Sequence, residues 1–206
     1  MADLADIDAA IILTGGRARR LGGISKPDLV VAGRTLLATA VAACHTRGAQ
    51  VIVAVGPETS PQSRPDEPPP PVAQVSGAAH LLWTREDPPY SGPARAVAAG
   101  AATLAARTLA PDARVAVLAC DMPYVDTALR LLAQAMTDRS VLATTGNQTH
   151  WLLGVHPWSQ LRAACSTLPA DGTGESMRHL WSTLNPQLVP VPETSATDID
   201  TWPDLP

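Results

Sequence analysis

The sequence contains no phenylalanine, three cysteines and a single lysine among its 206 residues. Because phenylalanine is absent, we expect tryptophan to fill the aromatic core positions. Cys44, Cys120 and Cys165 form no CxxC pair and have no histidines at metal-ligand spacing beside them, which argues against a disulfide framework and a thiolate zinc site. Scattered cysteines in odd number are typical of a reducing compartment.

Long hydrophobic runs and a basic surplus are also missing. No uncharged apolar run approaches the roughly 20 residues that span a bilayer, although hydrophobic residues make up 46% of the chain. The start, MADLADIDAA, lacks the basic region of a signal peptide. A net charge of -4 provides no general field for nucleic acid. We therefore expect a soluble, cytoplasmic protein that binds neither membrane nor nucleic acid, and any anion site must be local.

Short apolar runs alternate with helical patterns, as in βαβ units. The predicted strands are 9–14, 50–55, 80–84, 114–119, 140–145, 151–156 and 187–191. The predicted helices are 35–48, 92–107, 126–136, 158–165 and 175–181, with a glycine cap after the first and Asp126 as N-cap of the third. Several strands are continuously apolar, which is typical of a parallel sheet buried on both faces. We expect one domain over 1–206, interrupted by a surface loop at 57–77 that holds seven prolines.

The stretch LTGGRARRLGGISK, residues 13–26, carries four glycines and four cations directly after the first predicted strand. Loops at the carboxyl ends of strands are where open α/β sheets bind ligands, and bare backbone N–H groups with cations suit phosphate. The spacing fits neither a Walker A loop nor the dinucleotide GxGxxG pattern. The stretch indicates a local anion site, the alternative being a flexible loop with solvated arginines.

This stretch resembles the LAGGxxxRxGxxK signature of the nucleotidyltransferases of the molybdenum cofactor guanylyltransferase type (MobA-like), with Thr14 in place of the usual alanine. Three further segments resemble motifs of the same family in the same order: EDPPYSGPARAVAAG (86–100), ACDMPYV (119–125) and ATDIDTWPDL (196–205). The last departs from the family by placing Trp202 before Pro203. The resemblance covers nearly the whole chain and implies a three-layer α/β/α fold with a mostly parallel sheet, a Rossmann-like nucleotidyltransferase fold.

The resemblance also implies an activity. A member of this family would transfer GMP from GTP to molybdopterin or molybdenum-molybdopterin with Mg²⁺ as cofactor, and release pyrophosphate. Its partners would be GTP, molybdopterin and proteins of molybdenum cofactor biosynthesis or delivery. Two alternatives stay open. One is a cytidylyltransferase or guanylyltransferase for another phosphorylated acceptor such as phospholactate, and the other is a non-catalytic nucleotide-binding protein in cofactor delivery.

Matching positions give the site residues that the resemblance implies. Arg20, Lys26 and Asp121 would be catalytic, and Asp121 and Asp200 would hold the metal. The nucleotide would contact Leu13, Thr14, Gly15, Gly16, Lys26, Asp87, Gly92 and Asp121. Asp121 comes just past the strand 114–119, and its carboxylate suits Mg²⁺ on triphosphate oxygens.

Each of these interpretations has a plainer alternative. Asp121 would otherwise cap a turn, and Asp198 with Asp200 would be a surface pair or share the metal and acceptor roles. Glu86 competes with Asp87 for the ribose or base. Arg95 is either an acceptor-phosphate ligand or simply exposed. His150 falls where the family often binds its pterin, whereas the other histidines and most tryptophans fit packing or surface positions.

Overall fold

The computed structural model describes residues 7–15, 26–57, 80–169 and 175–199. Three predicted site residues, Gly16, Arg20 and Asp200, lie outside these ranges, and so does nearly all of the predicted proline-rich loop. The roles given to them therefore stay predictions.

Nine strands and five helices lie within the described ranges. The strands are β1 (Ala9–Leu13), β2 (Val30–Val31), β3 (Arg34–Thr35), β4 (Val51–Val55), β5 (His80–Thr84), β6 (Arg114–Ala119), β7 (Val141–Thr145), β8 (Gln148–Pro157) and β9 (Gln187–Pro190). The helices are α1 (Leu36–Thr46), α2 (Pro93–Ala105), α3 (Asp126–Ala135), α4 (Trp158–Ser166) and α5 (Met177–Ser182). Every predicted strand and helix has a counterpart, whereas the short β2–β3 hairpin was not predicted. None of the described helices has the length and apolar character needed to cross a bilayer.

The main sheet has seven strands in the order β5-β4-β1-β6-β8-β7-β9. Only β8 runs against its neighbours β6 and β7, since every other described pairing in this sheet is parallel. The reversal follows from a two-residue turn between β7 and β8, where Gly146 has a φ of 56°. The predicted mostly parallel sheet is confirmed.

Helices cover both faces of this sheet. Buried residues of α1 and α3 form one core with Ala10 and Ile12 of β1. Buried residues of α2, α4 and α5 form a second core with Ala9, Ile11 and Leu13, which alternate with Ala10 and Ile12 along β1. Because successive strand residues point to opposite faces, one continuously apolar strand serves both cores. This arrangement confirms the three-layer α/β/α fold.

The helix ends agree with the sequence at one helix and differ at another. Gly48, with a φ of 100°, follows α1 as the predicted glycine cap. The prediction of Asp126 as N-cap of α3 was wrong, because the helix begins at Asp126 after Val125, which already has helical dihedrals and makes no side-chain cap. An N-cap residue typically has extended rather than helical dihedrals. Asp126 already belongs to the helix, so it is not the N-cap. The Asp126 carboxylate instead lies 3.3 Å from Arg47 Nε.

Candidate functional site

The carboxyl ends of the six parallel strands share one edge of the sheet. The backbone continues this pairing past β1 and β6, where Cys120 N donates a hydrogen bond of 3.1 Å to Leu13 O. The end of the first strand and the turn that carries Asp121 are therefore neighbours. This edge is where ligands bind in open α/β sheets.

Lys26 and Asp121 meet at this edge although 95 residues separate them in the chain. Lys26 Nζ donates to Asp121 Oδ2 at 3.0 Å, and the two side chains are 20% and 18% exposed. The other oxygen, Asp121 Oδ1, is buried and accepts no hydrogen bond from the described residues. The structure thus brings the last residue of the glycine-rich stretch into direct contact with the predicted metal ligand.

A 3-10 turn begins at Lys26 and leads directly into a short hairpin. Residues 26–28 form a single 3-10 turn, and Leu29 N donates to Lys26 O at 3.1 Å. The β2–β3 hairpin then turns at Ala32 and Gly33, whose φ values are 49° and 80°. The dipeptide Ala-Gly between Val-Val and Arg-Thr was the only sequence signal for this hairpin, and it is weaker than the usual Asn-Gly signal.

The C-terminal segment crosses the same edge. After β9 the chain passes a 3-10 turn at residues 193–195 and reaches Ile199, whose backbone N–H donates to Asp121 O at 3.0 Å. Ile199 is 1% exposed and forms a small core with Leu29, Val31 and Leu36. The described part of the fourth family-like segment, residues 196–199, therefore lies beside the third, and Asp198 is exposed there.

No group of three or more His, Cys, Asp or Glu side chains within the described ranges is arranged to hold a metal ion. Asp121 is the predicted ligand that the structure places at the edge, and Asp200 follows directly after the last described residue. The fit of a metal therefore depends on Asp121 and its buried oxygen.

The start of the glycine-rich stretch is tied to β4. Thr14 is 5% exposed, and its N–H and hydroxyl both donate to Val55 O, at 2.9 and 3.0 Å. Both hydrogen-bond donors of Thr14 are thus used within the protein, and any polar contact of Thr14 with a nucleotide falls to its oxygen atoms. Gly15, the next residue, is exposed.

The β5–α2 connection lies at the same end of the sheet. Gly92 precedes α2 with a φ of 112° and Pro93 is the first helical residue, as predicted. Asp87 is exposed, whereas the competing Glu86 accepts a hydrogen bond of 2.9 Å from Tyr90 N. Arg95 donates through Nη1 to Pro169 O at 3.3 Å. The geometry thus leaves Asp87 as the more accessible of the two acids.

The first residues of β8 extend beyond the last pair that β8 forms with β6, Leu118 with Leu153. His150 therefore lies on the side of the sheet where the chain turns at Asp121. Its Nε2 is 2.8 Å from Thr145 Oγ1, and partial burial lowers the pKa of His150 below its usual value. The imidazole is consequently mostly neutral at pH 7.

Known sequences give a consistent result. Residues 10–187 match the model of the MobA-like NTP transferase domain. The molybdenum cofactor guanylyltransferase of Bradyrhizobium sp. (strain ORS 278) is 32% identical over 158 residues, which cover 71% of this chain and 65% of that protein. The match thus spans slightly less than two thirds of that relative.

Solved structures show the same fold. Molybdopterin-guanine dinucleotide biosynthesis protein A from Archaeoglobus fulgidus is similar with a TM-score of 0.61 and 19% identity, over 95% of this chain and 94% of that one. The 2-C-methyl-D-erythritol 4-phosphate cytidylyltransferase from Thermus thermophilus is similar with a TM-score of 0.58 and 22% identity, over 96% of this chain and 95% of that one. The chain belongs to the MobA-like NTP transferase family.

Proposed function

We propose that this protein is a Mg²⁺-dependent nucleotidyltransferase of the cytoplasm that transfers GMP from GTP to molybdopterin or molybdenum-molybdopterin and releases pyrophosphate. The observation that carries the proposal is the contact of Lys26 with Asp121 at the carboxyl edge of the sheet. Two family-like motifs, far apart in the chain, place a cation and a carboxylate at one point. Family membership and the name of the 32% identical relative support the same reaction.

The reaction joins two anions. An oxygen of the terminal phosphate of molybdopterin attacks the α-phosphorus of GTP, and the bond from that phosphorus to the bridging oxygen of the β-phosphate breaks. Pyrophosphate leaves with the bonding electrons. Alignment and charge neutralisation are the main contributions that a protein makes to such a transfer.

Lys26 is suited to binding the negatively charged phosphates in this reaction. A lysine ammonium is a compact charge with three donors, and here it lies at the end of the glycine-rich stretch. We assign it to the α- or β-phosphate, where it would stabilise the negative charge on the departing pyrophosphate. Arg20 is proposed to add a second positive charge from the same stretch.

Asp121 fits a divalent cation. A buried carboxylate oxygen that no described group satisfies is costly unless a ligand meets it, and Asp121 Oδ1 is such an oxygen. Carboxylate oxygens are the donors that Mg²⁺ prefers. When bound, Mg²⁺ would supply Lewis-acid stabilisation of the triphosphate charge. We propose Asp121 and Asp200 as its protein ligands.

The remaining assignments concern the two substrates. The backbone at Leu13 to Gly16, Asp87 and the start of α2 at Gly92 would hold the nucleotide. His150 is proposed for the pterin side, because β8 carries it to the edge that Asp121 occupies. Proteins that deliver molybdopterin are the expected partners.

The direct test incubates the protein with Mg²⁺, molybdopterin and either GTP or CTP, and measures both pyrophosphate and the dinucleotide product. We expect product with GTP and little with CTP. Product with CTP but not GTP would replace the guanylyl assignment by the cytidylyl one. Nucleotide binding with no turnover on molybdopterin or phospholactate would favour the non-catalytic alternative.

A matched pair of variants tests the metal role. Asp121→Asn keeps the shape of the side chain but removes its charge, and turnover should fall about 100-fold or more. Asp126→Asn makes the same change at a half-exposed carboxylate that pairs with Arg47 and is not proposed to hold the metal. Equal turnover of the two variants would contradict the assignment of Asp121.

A further inference from the structure

Gly56 follows β4 directly, is buried, and has a φ of 150°. A Cβ atom at this position would lie 2.5 Å from Thr14 Oγ1 and 2.8 Å from Gly15 N. Real Cβ atoms essentially never lie within 3.0 Å of such an atom, and both distances are below that limit. Only glycine therefore allows the end of β4 to lie this close to the start of the glycine-rich stretch.

Hydrogen bonds on two sides fix this close approach. Val55 O accepts from both the N–H and the hydroxyl of Thr14. On the other side, Gly56 N donates to Thr84 O at 2.9 Å. The backbone at Gly56 is thus held between the ends of β1 and β5, and it cannot withdraw from Gly15 without breaking these bonds.

The absence of a side chain at Gly56 leaves the Gly15 N–H unobstructed. This N–H donates to no protein acceptor in the described ranges, and Gly15 is exposed. Gly15 itself has room for a side chain, because its nearest neighbours would lie 3.8 Å from an added Cβ. The position that tolerates no side chain is therefore Gly56, on the adjacent strand.

We propose that Gly56 is a positioning residue of the nucleotide site. By lacking a side chain it lets β4 close against β1 and keeps the Gly15 N–H open to an oxygen of a bound nucleoside triphosphate. Gly56 acts through Gly15 and touches no ligand itself. The inference rests on the proposed function for the identity of the ligand.

The test compares Gly56→Ala with wild type in KM for GTP, kcat and the ¹⁵N–¹H signal of the Gly15 amide. In wild type this signal should shift when Mg²⁺·GTP is added. In Gly56→Ala the shift should shrink and KM should rise about tenfold, as expected for one lost hydrogen bond to a charged group. A rise in KM with little change in kcat marks lost ground-state binding rather than a general defect.

Gly146→Ala is the matched control. Gly146 also has a left-handed φ, 56°, but an added Cβ there would meet no atom within 4 Å. Gly146→Ala therefore introduces backbone strain without the steric contact that an added Cβ makes at Gly56, and it should leave KM for GTP unchanged. If Gly56→Ala fails to fold, Thr14→Val removes the hydroxyl bond to Val55 while keeping the side-chain shape, and KM should still rise severalfold.

The same KM and Gly15 shift in a folded Gly56→Ala and in Gly146→Ala would overturn the proposal. A loss confined to kcat and melting temperature would overturn it too, because it would show a structural role only. A wild type whose amide signals respond to neither GTP nor CTP would contradict the proposed function itself. The two failures are therefore distinguishable.

Discussion

Lys26 Nζ lies 3.0 Å from Asp121 Oδ2, so the only lysine of the chain partly neutralises the carboxylate proposed to hold Mg²⁺. The ammonium occupies one side of that carboxylate and leaves Oδ1 buried without a described partner. A cation that approaches Asp121 therefore meets a positive charge nearby. Triphosphate oxygens offer Lys26 a new partner, and we expect the nucleotide and the metal to bind more strongly together than separately.

This relationship predicts opposite effects of Lys26→Met on two measurements. Transfer should fall about 100-fold, because a donor to the developing phosphate charge is lost. Binding of Mn²⁺ without nucleotide should tighten about tenfold, because a unit charge beside Asp121 disappears. Electron paramagnetic resonance of free Mn²⁺ measures the second effect independently of turnover.

Arg34→Met serves as the control, because Arg34 is exposed on the neighbouring hairpin. It should change neither quantity appreciably. Unchanged or weaker Mn²⁺ binding by Lys26→Met would contradict competition between Lys26 and the cation for Asp121.

A second prediction concerns Ile199, which anchors the C-terminal segment in the small core with Leu29 and Leu36. Ile199→Ala should lower the free energy of unfolding by about 2–5 kcal/mol, as is usual for truncation of a buried isoleucine. Turnover at a temperature where the variant is folded should also fall, since the same core supports the hairpin behind Lys26. Urea unfolding and the pyrophosphate assay measure the two effects.

Val30→Ala truncates an aliphatic side chain that is 50% exposed on the same hairpin. Its effect on unfolding should stay within about 0.5 kcal/mol. Similar stability losses in Ile199→Ala and Val30→Ala would show that the C-terminal segment is not anchored at Ile199.

The sequence predicted the architecture well because buried parallel strands give continuous apolar runs. It predicted neither the β2–β3 hairpin nor the close approach at Gly56, for a common physical reason. Both depend on contacts between segments distant in the chain: the hairpin packs on Ile199, and Gly56 packs on Thr14. The prediction of Asp126 as N-cap failed because the turn after Asp121 already has helical backbone at Val125. Local sequence patterns do not indicate tertiary contacts such as those at Ile199 and Gly56.

A third prediction concerns Gly100 and the packing of α2 on the sheet. A Cβ at Gly100 would lie 2.6 Å from Ile11 Cγ2 and 3.1 Å from Val55 Cγ2, so α2 packs tightly on β1 and β4. Glycine to alanine within a helix ordinarily stabilises it by about 1 kcal/mol. Gly100→Ala should instead destabilise the protein by about 1–3 kcal/mol, as overpacking does. Chemical denaturation measures the sign.

A double-mutant cycle separates the clash from other causes. In an Ile11→Ala background, Gly100→Ala should cost less, because the closest atom is gone. An equal cost in both backgrounds would show that overpacking against Ile11 does not explain the effect.

The last prediction concerns His156, which is fully buried and stacks on Trp181 with ring centroids 4.2 Å apart. Neither ring nitrogen has a hydrogen-bond partner in the described part of the chain. Burial lowers the pKa of His156 to about 3, whereas an unfolded histidine titrates near pH 6.5. Below about pH 6.5 the unfolded chain therefore binds a proton that the folded chain does not, and the free energy of unfolding falls as the pH decreases toward 3.

Two substitutions separate this titration from packing. His156→Leu and His156→Gln both remove the ionisable ring, so both should flatten the loss of stability between pH 6 and 4, by up to about 1.4 kcal/mol per pH unit. They should differ in stability at pH 7, because glutamine leaves a buried amide whereas leucine does not. Urea unfolding at several pH values measures both quantities. A wild-type slope in both variants would show that protonation of His156 does not drive the acid destabilisation.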